Sequence, residues 1–86
     1  MKYTIGDIVT IINPLDAGDE DYVNKTGIIQ EITKNDNDDP NRLIYGVRFN
    51  SFATNADRYF YDTQIRHSSE YEMSVAYRQI MNIYLT

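Results

Sequence analysis

The sequence predicts a mainly β protein, a small five-stranded barrel followed by one C-terminal α-helix. Short apolar runs rich in β-branched or aromatic residues recur between polar, turn-rich segments. Two of these runs start from glycine-bearing turns, Gly6-Asp7 and Asn24-Lys25-Thr26-Gly27. After His67 the apolar period lengthens from two residues to three and four, which exchanges strand for helix. With 86 residues the chain is long enough for one compact core and too short for two. The expected organisation is one domain over 1–86, with the barrel over about 4–67 and the helix over about 69–85.

The first run, Ile8 to Ile12, reads as strand one, and Gly27 to Ile32 as strand two. In the third, Leu43, Tyr45, Val47 and Phe49 alternate with Ile44, Gly46 and Arg48, so a period of two sends one side to the core and the other outward. Gly46 in mid-strand predicts a bulge or a close backbone approach. Arg58-Tyr59-Phe60-Tyr61 is a fourth, aromatic strand, and a short turn from Asp62 to Arg66 leads into a brief fifth. The connections at 13–24, 34–42 and 50–57 are polar, carry no periodic apolar face, and are expected as surface loops. Ser69 with Glu72 fits a capping box at a helix start. Met73, Ala76, Tyr77, Ile80, Met81 and Tyr84 then form an amphipathic stripe over about 70–84. A helix of that length is marginal alone in water, so the stripe must pack on the barrel or on another chain.

Composition narrows the functions. The chain is 42% apolar, as in an ordinary globular domain. Cysteine is absent, which excludes disulfides and thiolate metal sites. No apolar run approaches the ~20 residues of a membrane span, and no apolar signal region opens the sequence, so no membrane association and a cytoplasmic location are expected. A net charge of −5 disfavours sequence-independent nucleic-acid binding, which depends on neutralising phosphates, and favours basic partners.

The strand and loop order resembles the SH3-like barrel superfamily over about residues 4–66. Val23-Asn24-Lys25-Thr26-Gly27-Ile28-Ile29-Gln30-Glu31-Ile32 is similar to a KOW-type motif, a glycine-bearing turn feeding an alternating strand. Tyr45-Gly46-Val47-Arg48-Phe49 and Arg58-Tyr59-Phe60-Tyr61 resemble the third and fourth strands of such barrels. The resemblance implies a binding module, without choosing among RNA, DNA, peptide and scaffold roles. Asn24 stands where the KOW pattern has glycine, and the long acidic first loop differs from the short basic loop of RNA-binding members.

No catalytic set emerges, and no enzyme activity or cofactor is expected. His67, the single histidine, has no spacing partner that would make a nucleophilic dyad. Asp36, Asp38 and Asp39 invite a calcium reading, but a loop begun at Asp36 has Asn41 at its sixth position and Val47 at its twelfth. The required glycine and bidentate glutamate are missing, so no metal site is expected.

What remains is a surface rich in tyrosine and carboxylate. Eight tyrosines and no tryptophan supply rigid contact area with polar tips. The expected partner site combines Asp16, Asp19, Glu20, Asp21 and Tyr22 of the first loop with Asp36, Asp38 and Asp39 of the second and Tyr45, Tyr59 and Tyr61 between them. It would take a basic segment of another protein through carboxylate pairing and cation–π contact. This reading assumes that both acidic loops project from one side of the barrel. A phage- or mobile-element-type inhibitor of a host protein fits the size and charge. The alternatives are a KOW-type nucleic-acid binder using Lys25, Arg48, Arg58 and Arg66, and a small assembly subunit, a monomer or weak homodimer joined through the C-terminal helix at Ile80, Ile83, Tyr84 and Leu85.

Overall fold

A computed structural model of the chain describes residues 2–35, 39–49 and 55–75, with the side chains of 35 and 39–41 left aside. The architecture is mainly β: five antiparallel strands in one sheet and a short C-terminal helix. The strands are β1 (Ile8–Ile11), β2 (Thr26–Asn35), β3 (Asp39–Arg48), β4 (Arg58–Tyr61) and β5 (Ile65–His67). Their order across the sheet is β4-β3-β2-β1-β5, so the ladder is open, with β4 and β5 at its two ends.

One core nonetheless draws on both ends of the sheet. Phe60 of β4 and Ile65 of β5 join Tyr3, Val9, Ile11, Ile29, Tyr45 and Val47 in a single buried cluster. Such a cluster requires a strongly coiled sheet, because a flat five-stranded sheet would hold its outer strands far apart. Tyr3, ahead of β1, closes the gap: its ring meets Tyr45 edge-on at 5.3 Å, and its hydroxyl donates to the Ile65 carbonyl at 3.1 Å. The alternation expected in the third strand is present, with Tyr45 and Val47 buried and Leu43 and Phe49 packed against the cluster.

Two glycines allow the layers to approach. A Cβ on Gly27 would lie 2.6 Å from Val47 Cγ1 and 2.8 Å from the Arg48 carbonyl oxygen. A Cβ on Gly46 would lie 2.8 Å from both Ala56 Cβ and the Tyr59 ring. The close approach expected at Gly46 is therefore real, and the irregularity in pairing lies opposite it, on β2 between Ile29 and Glu31. The turn into β2 uses Asn24 at φ 72°, a left-handed conformation that asparagine tolerates better than most residues.

Two expected boundaries are corrected. The connection at 34–42 is not one long loop, because β2 continues to Asn35 and β3 begins at Asp39. Polar residues extend this hairpin because its ladder satisfies the backbone whether or not a core lies beneath it. The first connection is not wholly surface loop either, since it contains a 3-10 turn at Asp19–Tyr22 with Asp19 buried. A second 3-10 turn, Asp62–Gln64, joins β4 to β5. Among the described residues the C-terminal helix covers 70–75, with the expected capping box. The Ser69 N–H donates to Glu72 Oε1 at 2.8 Å, and the Glu72 N–H donates to Ser69 Oγ at 3.2 Å. Of the expected stripe, Ala76, Tyr77, Ile80, Met81 and Tyr84 lie outside the described residues, as do Ile83 and Leu85.

Gly27→Ala should lower stability by about 1–3 kcal/mol, because the added methyl meets backbone and core on a rigid strand. Gly46→Ala should be milder, since its methyl meets no backbone atom: the 44%-exposed Tyr59 ring can turn away, and Ala56 lies outside the strands, in the segment ahead of β4. Urea unfolding of the two variants measures the difference, and equal losses would contradict it.

Candidate functional site

The first connection, between β1 and β2, is built around one buried carboxylate. Asp19 is 1% exposed and accepts hydrogen bonds from four donors. Its Oδ2 takes the Leu15 N–H at 3.1 Å, the Asp16 N–H at 2.9 Å and Gln64 Nε2 at 2.8 Å, and its Oδ1 takes Arg58 Nε. Local sequence produces half of this set. Gly18, at φ 93°, supplies the reversal that folds Asp19 back onto the two preceding amides. The other half is tertiary, coming from β4 and from the turn before β5.

Arg58 and Gln64 each do more than meet Asp19. Arg58 also donates to the Ala17 carbonyl at 2.7 Å, and its guanidinium lies 5.6 Å from the centre of the Tyr22 ring. Gln64 donates to the Asn13 carbonyl at 3.1 Å and accepts the Tyr61 N–H at 2.9 Å. Its own carbonyl takes the Ile12 N–H at 2.7 Å and the Asn13 N–H at 3.3 Å. The connection is thereby tied to β4 and to the turn before β5 at several points along its length. Burial alone would raise the Asp19 pKa, but the Asp16 amide, Arg58, Gln64 and the Leu15 amide together hold it at about 2.

The expected site residues do not form one surface. Asp16, Glu20 and Asp21 are exposed on this pinned connection, and Tyr22 is half-buried beside them, packed on Phe49 at 5.0 Å and Phe60 at 6.1 Å. Asp19 and Tyr45 are interior and offer no surface to a partner; the first neutralises Arg58, and the second packs in the core. Tyr61 is also buried, with the Arg42 guanidinium 4.0 Å above its ring. Tyr59, on β4, is exposed, and its hydroxyl lies 3.4 Å from both oxygens of Glu31. Asp36 and Asp38 lie outside the described residues, and Asp39 is the first residue of β3.

The expected pairing of the two acidic loops is corrected by the topology. The first connection enters β2 at Thr26, and β2 ends at Asn35, beyond which Asp36 and Asp38 lie outside the described residues. Ten residues of strand separate them, about 30 Å of extended chain. The first connection instead shares its end of the sheet with the segment after β3: Tyr22 packs on Phe49, and the Phe49 N–H donates to Asp57 Oδ2 at 2.6 Å.

Elsewhere, a groove of about 460 Å³ runs between the start of β2 and the helix, with Lys25, Thr26, Phe49, Tyr71 and Val75 among its lining residues. Glu72 also faces it, but that carboxylate is held by two bonds from Arg66, each 2.8 Å, and by the Ser69 amide, which keep its pKa at about 2. His67 Nε2 lies 3.2 Å from Asp7 Oδ2, and its ring lies 4.6 Å from Tyr3, tying β5 to the segment ahead of β1. Among the described residues no group of three potential ligands is placed to hold a metal ion, and no helix is long and apolar enough to cross a membrane.

Compared with known proteins, the chain matches no family model, no curated protein and no solved structure.

Sequence reasoning missed Gln64 and the Leu15 amide as partners of Asp19. No local pattern distinguishes Gln64 from any polar turn residue. Leu15 carries a signal, as an aliphatic residue after proline in an otherwise acidic loop.

Asp19→Asn keeps the shape of the side chain but removes the charge opposite Arg58, and should reduce stability by about 3 kcal/mol in urea unfolding. The pH dependence has a definite sign. The folded carboxyl titrates at about 2 against 3.8 unconstrained, so its contribution is complete above pH 3.8 and disappears as pH falls through about 2. That linkage is worth about 2 kcal/mol and should be absent from Asp19→Asn. Acid titrations of both proteins, followed by circular dichroism, measure it.

Proposed function

We propose that the chain is an SH3-like barrel module without enzymatic activity, which binds a basic surface of another protein through Asp16, Glu20 and Asp21. Three features support the barrel reading. β1 lies between β2 and β5, a 3-10 turn links β4 to β5, and residues from both ends of the sheet share one core. The observation that carries the binding reading is the burial of Asp19 beneath exposed carboxylates on a connection with a fixed backbone. An internal ion pair absorbs Asp19 and Arg58 together, so the charge left facing solvent on this connection is negative. A prearranged acidic surface gains affinity because little chain entropy is lost on binding, and it steers basic partners during encounter. Inhibition of a host protein by a phage- or mobile-element-type factor is one setting in which such a module works.

The same geometry ranks nucleic acid lower. Of the four cations that would form a phosphate-binding patch, Arg58 is bound to Asp19 and Arg66 to Glu72. Charges already paired within the fold contribute little to counterion release.

The test uses a fluorescent peptide of alternating arginine and serine, its glutamate–serine counterpart and a short DNA duplex, each titrated with the full chain. The arginine peptide should bind alone, with affinity falling as salt rises. Asp16→Asn, Glu20→Gln and Asp21→Asn combined should weaken it at least tenfold, while Glu31→Gln with Glu70→Gln should have little effect. Equal losses from the two sets, or preferential binding of DNA, would refute the proposal.

A further inference from the structure

The segment leading into the carboxylate cluster has a property that charge alone does not explain. Residues 12–17, Ile12-Asn13-Pro14-Leu15-Asp16-Ala17, are exposed without interruption, with Ile12 at 38% and Leu15 at 59%. Single exposed aliphatic residues are ordinary on a protein surface. Here a run in which Asn13 and Asp16 are the only polar residues stands on a pinned backbone. The Ile12 and Asn13 amides donate to the Gln64 carbonyl, and those of Leu15 and Asp16 donate to Asp19. Proline has no amide to satisfy. Asn13 Nδ2 reaches the Thr63 carbonyl at 3.1 Å, which brings the turn at Asp62–Gln64 alongside. The segment is therefore a fixed apolar ridge rather than a loose loop with greasy residues.

Its charge environment points to one kind of occupant. Asp16 lies within the ridge, and Glu20 and Asp21 follow it. Of the cations beside it, Arg58 is turned inward onto Asp19 and the Ala17 carbonyl, and Arg42 is engaged by Asp62 and Thr63 on the neighbouring turn. A second copy of this chain, with its net charge of −5, and an anionic lipid surface would both be repelled.

We infer that Ile12 and Leu15 form the apolar anchor of the partner site and take an aliphatic side chain from a protein segment flanked by lysine or arginine. The inference rests on the acidic-surface reading above and adds the shape of what binds there. Interfaces concentrate affinity in a few buried apolar contacts surrounded by polar groups, and a ridge whose backbone is already ordered meets that requirement at little entropic cost.

The experiment compares octapeptides of alternating Arg-Leu and alternating Arg-Ser, titrated into the full chain with amide resonances monitored. The Arg-Leu peptide should bind roughly tenfold more tightly, with shifts centred on residues 12–17. Leu15→Ser should erase that advantage and leave Arg-Ser affinity unchanged. Leu15 is exposed, so the variant should keep the wild-type unfolding midpoint, and Ile12→Ser provides an independent check on the same ridge. Equal affinity for the two peptides, with the Arg-Ser interaction still lost in the triple carboxylate variant, would overturn the ridge and leave the acidic surface standing. Failure of both peptides to bind would overturn both. Concentration-dependent dimerisation abolished by Leu15→Ser would overturn the inference by assigning the ridge to a second copy.

Discussion

The carboxylate of Asp19 is the constraint on which the arrangement of this molecule turns. A long polar connection between two strands would ordinarily sample many conformations, because few apolar side chains draw it onto the core. Here a buried anion takes two amides from its own loop, the Arg58 guanidinium from β4 and the Gln64 amide from the turn before β5. β4 is one edge of the open ladder and the turn leads directly into the other, so a single side chain holds the first connection to both. Buried charges are tolerated only when paired and fully hydrogen-bonded, and this one is both.

The surface follows from that interior contact. Because Asp19 and Arg58 satisfy each other, the connection shows solvent its remaining carboxylates and its aliphatic residues. Because its amides are spoken for, those side chains are held in place. Tyr22 takes part from below: its ring lies against Phe49 and Phe60, with Arg58 and Lys25 near its faces. Aromatic and cationic groups thus meet here inside the fold, where they support the loop. The helix start is held by a second contact, the Arg66–Glu72 pair.

Strand content, the alternation in the third strand, the brief fifth strand and the capping box were all legible in the sequence. Each is a local signal: a period of two, a β-branched run, or a serine three residues ahead of a glutamate. The hairpin of β2 and β3 was only partly legible, because polar strand ends have no apolar alternation to mark them. The partner site was legible as composition and illegible as geometry. Asp19 and Asp16 are the same residue type three positions apart, yet one is buried and the other exposed. Tyr59 and Tyr61 lie on one strand, and Arg42 covers only the second.

By itself the sequence determined that this would be a small β-rich protein with an acidic character and a helix begun at Ser69. Those properties depend on residues close together in the chain. The tertiary structure alone decided which acid would be interior, which tyrosines would be covered, and that the two acid-rich connections adjoin opposite ends of β2. Each of these depends on partners tens of residues away, such as Arg58 and Gln64 for Asp19, and no local period encodes where such partners meet.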